Sequence, residues 1–248
     1  TELAVAIASG TGMTGSGTIT VDSTTGFSSS GTLQINSEIF TYTGVTSTTF
    51  TGVTRAQSST SAAAHATNDV VSESWTERDA SRSSAGKYNF ERFNFDGNDK
   101  LVVVDGDNAP TVFNTSIAAT DVSSGGGGEV TVAVTGAKFV TAFRDHMFYA
   151  GMSSTPQELV FSVPFDEDNF ATGSGAGSIK VDDTIVGLKV FRSDLFIFCE
   201  NRIFKLSGSS LSNFAIEPVT RNIGCVNGDT IQEFAGDLIF LGPDGLRT

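Results

Sequence analysis

The residues best suited to acid–base or metal chemistry are few and far apart. The two histidines, His65 and His146, have neither a second histidine nor a cysteine at metal-ligand spacing. His65 closes an alanine-rich stretch, and His146 occupies a hairpin position that Asp194 and Asp237 occupy in similar stretches further along the chain. Both histidines are therefore predicted to serve in turns or caps and not as ligands.

Carboxylates cluster at three places, which are residues 105–107, 166–168 and 182–183. Paired carboxylates could bind Ca²⁺, or act as acid and base in glycoside hydrolysis. The densest cluster, Asp166-Glu167-Asp168, lies in a connector and has no D-x-D-x-D-G loop, so a solvated turn is favoured. The clusters at 105–107 and 182–183 are also predicted to be turns, with a Ca²⁺ site at 105–107 as an alternative.

Other signatures of catalysis are missing from the sequence. The glycine runs at 125–128 and 173–177 lack the Lys-Ser/Thr pair of a phosphate loop, and we expect flexible hairpin loops there. Cys199 and Cys225 lie in strand-like stretches without a CxxC partner, which predicts two buried thiols. The sequence contains no G-x-S-x-G or HExxH motif. It therefore predicts a non-enzymatic protein with no catalytic, cofactor-binding or metal-binding residue and no cofactor. Glycan hydrolysis stays open, because two carboxylates on strands leave no local signature.

Composition indicates an all-β protein. Only 17% of the 248 residues are charged, and 20 of the aromatic residues are Phe, against three Tyr and one Trp. The net charge of −13 and the absence of any Lys/Arg run longer than two argue against specific nucleic-acid binding. No run of 18 apolar residues is present, so no membrane span is expected.

The chain is predicted to contain two parts. Residues 1–15 are small, polar and punctuated by glycine, as in an extended N-terminal arm. Residues 16–72 alternate polar and apolar side chains in several short runs, which predicts a small β-meander or barrel-like module. Residues 73–88 are polar and form the candidate linker, in which Trp75 could dock the two parts. A second domain is expected to span 89–248.

The second domain contains an internal repeat. Each copy has a strand that ends in Phe, a polar turn and a strongly apolar strand; the copies are residues 143–149, 191–197, 234–240, and Phe95 with 100–104. The equivalent positions Leu101, Met147, Leu195 and Leu238 are separated by 46, 48 and 43 residues. This period, with short strands and turns, is typical of β-propeller blades. Residues 242–248 fall in the middle of the fourth copy, so we expect either a longer protein or a ring that another chain completes.

Residues 31–45 resemble a small module of tail, baseplate and fibre proteins of tailed bacteriophages. The pattern is G-x-L-x-I-x-x-E-I-x-x-Y-T-G, followed by F/L-T-G-V-x-R-G at residues 50–56 and by the A-x-x-H that ends at His65. The chain departs from this pattern at Ala56, where the family usually has glycine, so the turn there could differ.

Residues 88–248 resemble β-propeller proteins of phage virions. The resemblance is carried by Leu159-Val160-Phe161-Ser162, by Ile223-Gly224-Cys225-Val226 and by the Leu-x-x-Asp-Gly-hydrophobic turn at 241–246. It implies a structural virion protein of the tail, neck, nozzle or baseplate, made in the host cytoplasm. The implied partners are other tail or neck proteins and symmetry copies of the chain.

Two other functions remain open at this point. One is a receptor- or glycan-binding tail protein, for which Trp75, Tyr149 and Phe170 are the candidate exposed aromatics. The other is a glycan depolymerase.

Overall fold

The computed structural model describes residues 1–74, 78–79, 82–122 and 134–248. The chain divides into two compact units, Thr1–Glu77 and Arg78–Thr248. In the described residues the only helical segments are two single 3₁₀ turns, Thr172–Ser174 and Gly228–Thr230, and the regular structure is otherwise strand. The all-β prediction is therefore confirmed. Trp75 and the glycine run at 125–128 lie outside the described residues.

The first unit contains one antiparallel sheet. Its strands are β1 Thr14–Thr20, β2 Gly31–Ile35, β3 Glu38–Tyr42, β4 Gly44–Val45, β5 Thr49–Gln57 and β6 Val71–Glu73. The spatial order is β1-β5-β3-β2-β6, with β4 beside β5, so the first strand pairs with β5 across the module and the order is not that of a simple meander.

The alternation of side chains explains why these segments form strands. In β2 the apolar Leu33 and Ile35 are buried, whereas Thr32 and Gln34 face the other side, as the two-residue period of a strand requires. Phe40 and Tyr42 continue the buried face in β3, which pairs with β2. The strand pattern that the sequence predicts for this module is thus present in the structure.

Residues 1–15 do not extend away from the module as the sequence suggested. Leu3 and Ile7 are buried among the apolar side chains of the module core. Single backbone bridges connect Glu2 to Val70, Leu3 to Val21 and Ile7 to His65. We call residues 1–12 the strap, because they lie across the module and join its first and last segments.

The second unit contains four antiparallel sheets, which we number in chain order. The strands of the first sheet are β7 Asn89–Phe93, β8 Lys100–Val104, β9 Thr111–Phe113 and β10 Ala119–Asp121; those of the second are β11 Phe139–Phe143, β12 His146–Ala150, β13 Glu158–Phe161 and β14 Gly177–Lys180. The third has β15 Ile185–Phe191, β16 Asp194–Cys199, β17 Ile203–Ser207 and β18 Ala215–Thr220; the fourth has β19 Gln232–Phe234, β20 Asp237–Gly242 and β21 Gly245–Arg247. In each sheet, consecutive strands are neighbours.

The repeat of the sequence corresponds to the first hairpin of each sheet. The strand-ending Phe pairs with the first residue of the next strand in three copies, as Phe143 with His146, Phe191 with Asp194 and Phe234 with Asp237. In the earliest copy β7 ends at Phe93, which pairs with Lys100, and Phe95 lies in a longer turn. The residue equivalent to Phe143, Phe191 and Phe234 is therefore Phe93, and the sequence-based assignment of Phe95 is wrong by two positions.

The sheets stack on one another through apolar faces. Side chains of the first and second sheets share one core cluster, those of the second and third share another, and those of the third and fourth share a last one. β7 contacts β11, and β11 contacts β15, so the first strands of neighbouring sheets lie side by side. The second and third sheets each have a neighbouring sheet on both faces, so their second strands, β12 and β16, are apolar at almost every position.

Two arginines join successive hairpin turns. The guanidinium of Arg144 donates to the carbonyl of Ser193 in the next turn (2.9 Å), and that of Arg192 donates to the carbonyl of Gly236 (3.0 Å). Each guanidinium also lies over the ring of the preceding Phe. The equivalent residue in the fourth sheet is Ala235, so this series of contacts ends there.

Candidate functional site

The first unit contains a buried ion pair between Glu38 and Arg55. Arg55 Nε donates to Glu38 Oε1 and Arg55 Nη2 to Oε2, both at 2.8 Å, which is the bidentate geometry of a strong carboxylate–guanidinium pair. The Glu38 side chain is 0% exposed and that of Arg55 is 5% exposed. Charges at this depth require complete hydrogen bonding, and the surrounding backbone supplies it.

The carboxylate of Glu38 accepts further hydrogen bonds from three residues. The backbone N–H of Ala56 donates to Oε1 (3.1 Å) and that of Ala63 to Oε2 (2.9 Å), and His65 Nε2 lies 2.8 Å from Oε2. Nδ1 of His65 lies 3.4 Å from the amide nitrogen of Asn36 and 3.9 Å from Oδ2 of Asp69. His65 is therefore part of a buried network and not only a turn residue.

Arg55 also donates hydrogen bonds to the backbone of the strap. Its Nη1 donates to the carbonyl oxygens of Ala8 (2.9 Å) and Thr11 (3.1 Å). The backbone of Ile7 exchanges two hydrogen bonds of 2.9 Å with that of His65. The network thus fastens β3, β5, the loop before His65 and the strap to one another.

The pKa of Glu38 predicts how the module responds to acid. Burial would raise this pKa, but hydrogen bonds from Arg55, the Ala63 amide and His65 outweigh it and lower the pKa from 4.5 to about 2. Because the folded value lies below the ordinary one, the network stabilises the module fully above pH 4.5 and loses that contribution as the pH falls toward 2. We expect the stability difference between wild type and Glu38→Gln to stay constant from pH 7 to about pH 5. It should shrink below that, as measured by urea unfolding.

The backbone conformation of Ala56 explains how alanine can occupy the position where the pattern usually has glycine. Its φ of 56° lies in the left-handed region that favours glycine, so this alanine adopts the conformation that the usual glycine would take. We expect Ala56→Gly to raise the free energy of unfolding by about 1 kcal/mol. Ala62→Gly, at an exposed position without positive φ, should lower it slightly. Equal effects of the two substitutions in urea unfolding would contradict this explanation.

His146 flanks the predicted hairpin turn and is also buried. It begins β12, its Nδ1 lies 2.6 Å from the carbonyl oxygen of Ser162, and the rings of Phe148, Phe161 and Phe214 surround it at centroid distances of 5.5 to 6.2 Å. Its Nε2 makes no hydrogen bond. Because the imidazole packs among aromatic rings, its position indicates a core role.

The 105–107 stretch is a turn, as predicted, and the carboxylate of Asp105 closes it. Oδ1 accepts the backbone N–H of Asp107 (3.0 Å) and Asn108 (2.8 Å), and Oδ2 accepts the side-chain amide of Asn108 (2.8 Å). Burial acts to raise the pKa of Asp105, but these bonds lower it to about 2. The carboxylate oxygens are therefore engaged by the turn itself.

The prediction of a solvated turn at 166–168 is wrong for Glu167. This residue is buried, and its Oε1 binds the ammonium of Lys100 at 2.8 Å, which joins the second sheet to the first. Asp166 accepts a hydrogen bond from the amide of Asn169 (3.1 Å). The sequence suggested exposure because polarity alone does not reveal a distant cation such as Lys100.

The third acidic cluster also forms local contacts. Asp182 pairs with Arg202, and Asp183 Oδ2 accepts the backbone N–H of Asn201 at 2.7 Å. In the described part of the chain, no group of three or more His, Cys, Asp or Glu could hold a metal ion. No helix described there has the length and apolar character needed to cross a membrane.

The two cysteines are buried free thiols. Cys199 ends β16, whereas Cys225 lies in a loop and not in the strand that the sequence suggested. The backbone N–H of Cys225 donates to the carbonyl of Cys199 at 2.9 Å. Burial, and secondarily the charges of Asp183 and Asp182, raise the pKa of Cys199 to about 12.

This environment predicts inert thiols. We expect the native chain to react with a chromogenic disulfide reagent at pH 8 far more slowly than free cysteine, because the thiolate is the reactive form and both sulfurs are shielded. After unfolding in guanidinium chloride, both thiols should react. Rapid labelling of the native chain with one equivalent of reagent would contradict the structure.

Two of the aromatic candidates for glycan binding are not available on the surface. Tyr149 is 0% exposed, and its hydroxyl donates to the carbonyl of Glu167 (3.1 Å). Phe170 is 2% exposed and packs against Tyr149. Both predictions are wrong, because the stacking of the second sheet against the first buries these rings. The third candidate, Trp75, is outside the described residues.

A polar groove lies where the first strands of the second unit meet. It has a volume of about 450 Å³. Four of its lining residues lie two positions before the strand-ending Phe of their sheets: Glu91, Thr141, Lys189 and Gln232. Burial raises the pKa of Glu91, although its Oε1 accepts the Ala142 amide at 3.1 Å and Lys189 lies nearby. The other lining carboxylate, Asp229, pairs with Lys87. The repeat therefore places one residue of each sheet in this groove.

The fourth sheet exposes an apolar surface that we call the outer face, formed by Phe234, Ile239, Leu241 and Leu246. Phe234 is 68% exposed and Leu246 is 77% exposed. The opposite side of the same sheet buries Leu238 and Phe240 against the third sheet. A contiguous exposed apolar surface of this kind is typical of a protein–protein contact.

Searches for known relatives found no matching protein-family model and no matching curated protein.

Proposed function

We propose that the chain is a non-enzymatic structural component of a tailed-phage virion that assembles through protein–protein interfaces. The observation that carries the assembly role is the outer face, where Phe234 and Leu246 are exposed beside half-buried Ile239 and Leu241. Large apolar side chains gather at permanent interfaces because their burial there supplies most of the binding energy.

The virion assignment rests on the resemblance of the first unit to tail and baseplate modules. Glu38, Arg55 and His65 belong to the pattern that carries this resemblance and also form the buried network, so the pattern has a physical reason in this chain. A motif whose residues stabilise the fold is expected in a module that recurs in several virion proteins. The location that we propose is the tail, neck, nozzle or baseplate, with synthesis in the host cytoplasm and with other tail or neck proteins as partners.

We infer that the four sheets belong to a β-propeller-like array. Three features support this inference: consecutive strands are neighbours within each sheet, successive sheets stack face to face, and their first strands lie side by side. The period of 43 to 48 residues agrees with that of propeller blades. An array of this type positions the hairpin turns and the outer face for contacts with neighbours.

The experiment is to purify particles of the phage that encodes this chain and to quantify their proteins by mass spectrometry. We expect the chain at a fixed ratio to the major capsid protein, with abundant cytoplasmic host proteins as the contamination control. A chain that is present in infected cells but absent from purified particles would refute the virion role. Release of reducing ends from host polysaccharide by the purified chain would refute the non-enzymatic assignment.

A further inference from the structure

The polar groove of the second unit collects hydrogen-bonding side chains from all four sheets. Its volume of about 450 Å³ lies within the usual range of small-molecule sites. The groups differ from sheet to sheet: a carboxylate from Glu91, a hydroxyl from Thr141, an ammonium from Lys189 and an amide from Gln232. All four residues lie on strands, so the sheets and not loose loops determine their spacing.

A second cavity continues this groove. It has a volume of about 440 Å³, and Asn89, Phe139 and Gly228 line both spaces. The ring of Phe139 packs against Gly151 at this junction, and Asn89 presents an amide beside it. Because the two spaces are continuous, together they suit a chain-like ligand better than a compact one.

The charges in the groove partly compensate one another. Asp229 pairs with Lys87. The ammonium of Lys189 lies near enough to Glu91 to act on the pKa of this carboxyl, which burial, the larger effect, raises. The groove thus offers hydrogen bonds without a strong field of one sign.

The second cavity also contains charges of both signs. Lys138 lines it together with Asp107 and Glu200, whereas the carboxylate of Asp105 is engaged by its own turn. A strongly charged ligand of either sign would therefore meet like charges in one of the two spaces. A neutral ligand with many hydroxyl groups would not.

We propose that the groove and the cavity that continues it bind a neutral oligosaccharide. Each sugar hydroxyl can donate and accept a hydrogen bond, and the groove supplies an acceptor in Glu91, a donor in Lys189 and both in the amide of Gln232. The C–H face of a sugar ring can pack on the apolar ring of Phe139. This inference goes beyond the assembly role proposed above and does not rest on it.

The first test is isothermal titration calorimetry of the purified full chain with neutral oligosaccharides. The probes are maltoheptaose, cellohexaose, mannohexaose and chitohexaose, which differ in sugar and linkage. We expect at least one of them to bind with a Kd of about 1 mM or tighter. Hexagalacturonate, an acidic oligosaccharide of similar length, should bind more weakly than that probe, because carboxylates line both spaces.

Two variants test whether the groove is the site. Lys189→Ala should weaken binding of the best probe by roughly 10-fold or more, the loss typical of a hydrogen bond to a charged group. Lys180→Ala is the matched control, because Lys180 is exposed on β14 and lines neither space. Glu91→Gln retains an acceptor for the Ala142 N–H but removes the charge, so it should also weaken binding. Circular dichroism establishes that each variant is folded.

Hydrogen exchange locates the ligand without relying on a variant. At a saturating concentration, the best probe should slow exchange in peptides from residues 87–93, 138–142 and 186–191. Peptides from residues 31–45 of the first unit should exchange as in the free chain.

Several outcomes would overturn the proposal. Failure of every neutral probe to bind at its highest soluble concentration would exclude the ligand class, as would tighter binding of hexagalacturonate. Equal affinities of Lys189→Ala and Lys180→Ala, without slower exchange around the groove, would place the ligand elsewhere. All of these are distinct from failure of the proposed function, which is judged by the content of purified particles.

Discussion

Replacing Glu38 by glutamine is expected to lower the free energy of unfolding of the first unit by about 3–5 kcal/mol. The substitution leaves the guanidinium of Arg55 buried without a counter-charge. It also breaks the hydrogen bonds to one of the two carboxylate oxygens, because the NH₂ group that replaces this oxygen cannot accept from the donors around it. We therefore expect this single-atom exchange to have one of the two largest effects on the chain.

The hydrogen-bond geometry shows why the amide of glutamine cannot replace the carboxylate of Glu38. Oε1 of Glu38 accepts from Arg55 Nε and from the Ala56 amide, and Oε2 accepts from Arg55 Nη2, the Ala63 amide and His65 Nε2. Whichever way the glutamine amide is turned, its NH₂ group faces at least two donors. A tautomer change at His65 does not relieve this conflict, because Arg55 Nη2 and the Ala63 N–H still donate to the position of Oε2.

The measurement is hydrogen exchange of the full chain at increasing urea concentration, followed in peptides from residues 31–66. Glu73→Gln is the matched control, because Glu73 is exposed and, among the described residues, accepts only the Ser28 N–H at 3.4 Å. Its effect should remain within about 0.5 kcal/mol. If Glu38→Gln and Glu73→Gln unfold at the same urea concentration, the network does not stabilise the module.

Local patterns made much of the fold predictable from the sequence. Alternation over two residues identified the strands of the first unit, because a half-buried strand must alternate. The Phe-turn-apolar repeat identified the first hairpins of the second unit, where Arg144 and Asp145 both adopt positive φ in a two-residue turn. These features depend on residues close in sequence, and such residues leave a periodic signal.

The buried network was not predictable in the same way. Glu38 and Arg55 are separated by 17 residues, and Glu38 and His65 by 27, so no periodicity connects them. The sequence does contain one signal, because Arg55 is the only Lys or Arg in residues 1–77. A single cationic side chain among mainly uncharged strands suggests a buried carboxylate as its partner. The strap was missed although residues 3–8 form an apolar run, Leu-Ala-Val-Ala-Ile-Ala, because the backbone partners of Leu3 and Ile7 are distant in sequence.

The exposure of the aromatic residues depended on how the sheets stack. Tyr149 and Phe170 are buried because the first and second sheets pack together, whereas Phe234 is exposed on the outer face. Tyr149 lies in the apolar strand β12, but Phe170 follows an acidic loop and is buried all the same, so local polarity does not decide the exposure of these rings. Only the three-dimensional neighbours separate core from surface here, and these neighbours are distant in the chain.

The second large effect is expected for Gly224→Ala, which should lower the free energy of unfolding of the second unit by about 3 kcal/mol. A Cβ atom at residue 224 would lie 2.2 Å from the carbonyl oxygen of Glu200, 2.3 Å from its carbonyl carbon and 2.4 Å from the backbone nitrogen of Asn201. These are backbone atoms, which cannot rotate away as a flexible side chain can. The chain must therefore shift at residue 224 or in the turn that follows β16.

Either shift disrupts the contact between the third and fourth sheets. The N–H of the next residue, Cys225, donates to the carbonyl of Cys199 at 2.9 Å, and the Cys225 side chain is buried in the cluster that the two sheets share. A displaced Gly224 would lengthen this bond and withdraw the thiol from its packing. The close approach of two backbones thus explains why the Gly-Cys-Val segment has glycine at its first position.

Urea unfolding of the full chain, with hydrogen exchange in peptides from residues 223–242, measures the effect. Gly173→Ala is the matched control in the same unit, because a Cβ there would meet no atom within 4 Å and the residue has no positive φ. It should remain within about 0.5 kcal/mol of wild type. Wild-type stability of Gly224→Ala would mean that the loop before the fourth sheet adjusts freely, and the contact between the two sheets would then not depend on this close approach.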